Sequence, residues 1–93
     1  MARRRFASVW DALEDTAAEA ANMRARSKLM IAVRSKIESW KVSQTEAAKR
    51  LGLTQPRLND LLRGRIDKFS LDALINMAGP AGLAVRLQIR EAA

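Results

Sequence analysis

The 93-residue sequence contains no cysteine and no histidine. Without cysteine there is no disulfide framework, thiolate metal site or cysteine nucleophile. Without histidine the commonest metal ligand and the usual general base near neutral pH are both missing. The four glycines fall in neither a G-x-G-x-x-G nor a G-x-x-x-x-G-K spacing, so no phosphate-cradling loop is available. Aromatics make up only 4% of the chain and do not interleave with the basic residues, which argues against RNA binding by base stacking. No apolar run approaches the roughly 18 residues of a membrane span. Arg3, Arg4 and Arg5 are followed by Asp11, Glu14 and Asp15 rather than by the apolar heart of a signal peptide. Those three carboxylates read as a solvated helix face, since no His, Cys or Gly-rich loop stands with them to make a catalytic or metal site. The expectation is a small, reduced, soluble, cytoplasmic protein that is not an enzyme, uses no cofactor or metal, and does not enter a membrane.

What the chain has is basic charge, unevenly placed. The formal net charge is +7. Residues 1–22 carry three Arg against four acids, and residues 67–93 balance at three each. Residues 23–41 carry six bases against Glu38, and residues 42–66 carry five against Glu46 and Asp60. The excess sits in the middle of the chain, where a polyanion would be met.

Apolar periodicity gives the elements. Phe6, Val9, Trp10, Leu13, Ala17, Ala20 and Ala21 recur at helical spacing, and Met30, Val33, Ile37 and Trp40 continue it with Leu29 beside them. Arg24, Arg26, Lys28, Arg34 and Lys36 surround that second stripe. The two segments form either one long helix or two with a break near Asn22. Ser43 and Glu46 make an S-x-x-E capping box for a helix through Ala47, Ala48 and Leu51, with Gly52 at its left-handed end. Thr54 caps the next helix, which has Pro56 in its first turn, an inner face of Leu58, Leu61 and Leu62, and Gly64 as its stop. Ser70 caps a last helix carrying Leu71, Leu74, Ile75 and Met77, which Gly79 and Pro80 end. Met23, Met30 and Met77 read as core fillers. From residue 83 the period changes to two: Leu83, Val85, Leu87 and Ile89 alternate with Ala84, Arg86, Gln88 and Arg90, the pattern of a half-buried strand over 83–90. A lone strand leaves its backbone groups unpaired, so this segment is expected to pair with its copy in a homodimer rather than to remain a loose tail.

Two short helices joined by a Gly-containing turn, the second opened by Thr-Gln, make a helix-turn-helix over 44–64. Ala48 is small where the helices cross. Thr54, Gln55, Arg57, Asp60 and Arg63 are the polar residues left to face outward. In the major groove an Arg can pair bidentately with guanine and a Gln with adenine. Gln44, Arg63 and Arg65 stand where phosphates would be touched.

The segment QTEAAKRLGLTQPRLNDLLRG resembles the Cro/repressor-type helix-turn-helix of the XRE family. The wider strings NMRARSKLMIAV, FSLDALINMAG and VRLQI resemble its HigA-like antitoxin branch, over about residues 6–90. The resemblance implies an all-α, five-helix DNA-binding domain with a C-terminal dimerisation strand. It also implies a homodimer bound to a double-stranded DNA operator, with a RelE-like toxin as partner. Recognition would fall on Gln55, Arg57 and Asp60 with Pro56 facing the groove, and phosphate anchoring on Gln44 and Arg63. Ala47 departs from the larger aliphatic of many repressors. Asp60 is acidic on the reading face, where it either accepts from cytosine N4 or restrains Arg57 or Arg63 as an ion pair.

Residues 1–22 are then an amphipathic segment appended to a DNA-binding domain of residues 23–93. Its stripe of Phe6, Val9, Trp10 and Leu13, flanked by Asp11, Glu14, Asp15 and Glu19, either docks on the domain or contacts the toxin. The expected function is a sequence-specific repressor serving as an antitoxin that regulates its own operon. A stand-alone phage or plasmid repressor, or an adaptor that has lost DNA binding, are the rival readings.

Overall fold

The computed structural model describes the backbone of residues 2–92 and the side chains of residues 16–92. Helix α1 runs without interruption from Ala2–Trp40, 39 residues or about 58 Å at 1.5 Å per residue. No glycine or proline precedes Gly52, so nothing in the backbone breaks it. At Asn22, where a break stands open in the sequence, the side-chain oxygen accepts from Arg26 Nε at 2.6 Å across one helical turn, and the helix continues. It ends where Lys41 turns to a left-handed φ of 52°.

Three short helices follow: α2, Gln44–Leu51; α3, Gln55–Leu62; and α4, Leu71–Ala78, with a 3-10 turn at Ile66–Lys68 before α4. Ser43, Thr54 and Ser70 cap them as their sequence positions predict, each side chain accepting from the N–H three residues on. The capping box at α2 is half made. Ser43 Oγ accepts from Glu46 N at 3.1 Å, but the Glu46 carboxylate turns to Arg50 Nε at 3.4 Å. Gly52 stands at a left-handed φ of 68°, its N–H and that of Leu53 closing onto Lys49 and Ala48.

The core gathers Met30, Val33 and Ile37 from α1, Ala47, Ala48 and Leu51 from α2, Leu58 and Leu61 from α3, and Phe69, Leu74, Met77 and Ala81. Ala47 is among them, so its small side chain is packed. Met23 is not in the core; it is 40% exposed, as is Ile75 on the outer side of α4.

Two expectations fail. The described residues form four α-helices and a single 3-10 turn, not five helices. They also form no strand: residues 83–90 have no regular structure. Leu83 packs on the core, but Leu87 and Ile89 are 86% and 83% exposed. Alternation marks a segment able to line one face of a sheet, yet the described residues offer no second strand to bond to, so water meets its backbone. Pro80 does end the regular helix, having no N–H to give Asn76, but the backbone makes one further turn. It closes at Gly82, φ 83°, with Leu83 N bonded to Ala78 O at 2.8 Å. No helix among the described residues is long and apolar enough to cross a membrane.

Candidate nucleic-acid interface

The turn at Gly52 and the cap at Thr54 set α3 across α2, with Leu58 and Leu61 fully buried beneath it. Because a helix advances about 100° per residue, the opposite face is Pro56, Asn59 and Arg63, with Gln55 at its leading edge. All four are exposed.

The residues expected to read bases are differently occupied. Thr54 is exposed, but its hydroxyl accepts from Arg57 N at 3.3 Å as the helix cap. Gln55 Nε2 donates to Thr45 Oγ1 at 2.9 Å, joining the first turns of the two helices. Pro56 faces outward and contributes only shape. Arg57 does not face outward. Its guanidinium carbon lies 3.9 Å from the Phe69 ring centroid, and its Nη1 donates to Lys68 O at 2.6 Å. Asp60 is half-buried and pairs with Arg65 at 3.2 Å and Lys68 at 4.0 Å. Of the two roles open to it, the ion pair is made in this structure, but with neither Arg57 nor Arg63.

Of the expected phosphate contacts, Gln44 begins α2 exposed, with no bond from its side chain, and Arg63 is exposed and equally free. Arg65 is exposed but engaged by Asp60. Two residues were missed. Asn59 lies on the open face of α3, four positions after Gln55, where the inner-face leucines alone would have placed it. Thr45 has no signal of its own, since its role appears only when the two helix starts converge.

Part of the basic excess is spent inside the fold. Arg26 Nη1 donates to the carbonyls of Ile66 and Phe69 at 3.2 and 3.3 Å. Arg34 lies against Gly64, whose missing Cβ would sit 3.1 Å from its Nη1. On the surface, Arg50 lies over Trp40, its guanidinium carbon 5.1 Å from the ring centroid. The expected partner-binding stripe of Phe6, Val9, Trp10 and Leu13 lies outside the described side chains. The next stretch of α1, residues 16–24, is exposed all round except at Ala20.

The chain matches the family described as a helix-turn-helix domain over residues 12–90, and it belongs to that family. A solved structure described as a transcriptional regulator assigned to the XRE family superposes with a TM-score of 0.72 at 27% identity. The match covers 80% of this chain and 83% of that one. No curated protein matches significantly.

Proposed function

We propose that this chain is a sequence-specific, double-stranded DNA-binding transcriptional repressor that lays α3 in the major groove. The observation that carries the reading is the bare face of α3, with Gln55, Pro56, Asn59 and Arg63 turned away from the core. Gln44 and Arg63 flank it to meet the phosphates. Family membership and the likeness to an XRE-type regulator support the same role. Titrating labelled duplex DNA at increasing salt tests it. Each neutralised phosphate should lower log K by about 0.9 per unit of log salt. Absence of any salt-sensitive duplex affinity would favour the adaptor reading instead.

The finer reading is a homodimeric antitoxin that represses its own operon. Supporting the dimer is the exposed row of Val85, Leu87 and Ile89, which an identical segment could cover. Supporting the antitoxin role are the HigA-like strings and the exposed stretch of α1 over residues 16–24. In sequence, residues 1–22 carry four acids against three Arg, a balance that suits a basic toxin of the RelE kind. Deleting residues 1–15 and measuring growth rescue beside thermal stability tests the contact. The proposal expects rescue to fail with stability kept, and full neutralisation by the truncated protein would sink it.

A further inference from the structure

We infer that Asn59, rather than Arg57, is a side chain by which α3 tells one base pair from another, and that the base it selects is an adenine. The inference rests on the DNA-binding reading and assigns its specificity.

It follows from what each polar side chain of α3 is already bonded to. Arg57 covers one face of Phe69, which is only 1% exposed, and donates to the carbonyl of Lys68. Swinging it into a groove would uncover that ring and exchange that bond for one to water. Asp60 is held by Arg65 and Lys68 on the same flank. Gln55 has given one amide hydrogen to Thr45, which fixes its orientation while leaving its carbonyl and second amide hydrogen free. Arg63 stands at the last turn, at the C-cap, where its length suits a phosphate. Asn59 is left on the open face, exposed, with its whole amide unbonded inside the protein. A free amide there can accept from adenine N6 and donate to N7 together, a pairing no other base offers in that groove.

The experiment selects sequences from a pool of randomised duplex DNA with the wild-type chain and with three variants, each checked by circular dichroism and thermal melting. Asn59→Ala should fold as the wild type does and lose about 5- to 150-fold of its discrimination at one A·T position. Asn59→Asp keeps the size but cannot donate to N7, while its carboxylate can accept from cytosine N4, so adenine should vanish from that position. Arg57→Ala should melt lower and leave the preference at every position intact. The inference is overturned if Asn59→Ala selects the wild-type sequence, or if Arg57→Ala is the variant that erases a base pair. A wild-type chain that binds duplexes in a salt-sensitive way but enriches none also overturns it, leaving DNA binding standing. A chain that binds no duplex removes the DNA-binding reading itself.

Discussion

Arg26 and Arg57 both reach the short connection between α3 and α4, one from α1 and the other from α3. Arg26 meets the carbonyls of Ile66 and Phe69, and Arg57 meets that of Lys68 while lying on the Phe69 ring. The 3-10 turn there already bonds Lys68 N to Arg65 O and Phe69 N to Ile66 O, and the two arginines add donors to the carbonyls of Ile66, Lys68 and Phe69. Replacing Arg57 by Ala removes a stacked cation and a charged hydrogen bond. Stability should fall by about 1–2 kcal/mol, a midpoint some 4–16 °C lower for a domain of this size. A melting curve unchanged within a degree would mean the stacking contributes nothing. Glycine at 52 is a different case. No atom lies near its missing Cβ, so Gly52→Ala meets no clash, only the left-handed φ. Its cost should be about 1–2 kcal/mol, read from denaturant midpoints with m unchanged.

At the scale of elements, α2, α3 and α4 are each eight residues long, too short to persist alone in water. Caps and burial hold them. Thr54 ends the turn and begins α3, so Thr54→Ala should cost about 1 kcal/mol of stability. Leu58, with no exposed surface, joins α3 to the core; Leu58→Ala should cost about 2–5 kcal/mol, a large share of what a domain this small possesses. Calorimetry on the two variants checks the order. A Thr54 variant less stable than the Leu58 one would mean the turn, not the packing, holds α3 in place.

For the whole molecule, α1 is the spine: its C-terminal half supplies Met30, Val33 and Ile37 to the core, and residues 16–24 extend from it almost bare. The C-terminal residues beyond Leu83 add a second uncovered segment. In the proposed dimer, two copies of α3 would be set about 34–36 Å apart to meet successive turns of DNA. Leu87→Asp would place a charge in the apolar row that the dimer is to bury. Sedimentation should then show a monomer, and affinity for a palindromic site should collapse while helicity is kept. A variant that stays dimeric would move the interface away from this row.

Much of this was written in local chemistry. Ser43, Thr54 and Ser70 announce helix starts because a side-chain oxygen can satisfy an N–H three residues on, whatever surrounds it. Gly52 announces the turn because only glycine takes a left-handed φ cheaply. The inner stripes of α1 and α3 were legible for the same reason, since helical period alone brings Met30, Val33 and Ile37, or Leu58 and Leu61, to one side. The unbroken course of α1 through Asn22 is only half legible: the absence of glycine and proline permits it, but nothing local at Asn22 requires it. The apolar alternation after Leu83 has the pattern of a strand, but a strand is a relation between two segments, and the described residues hold no second one. The state of the reading face was also out of reach. Arg57 looks as available as Asn59 in the sequence, and only the fold brings Phe69 and the Lys68 carbonyl within its reach, because those contacts join residues 11 and 12 positions apart across a turn.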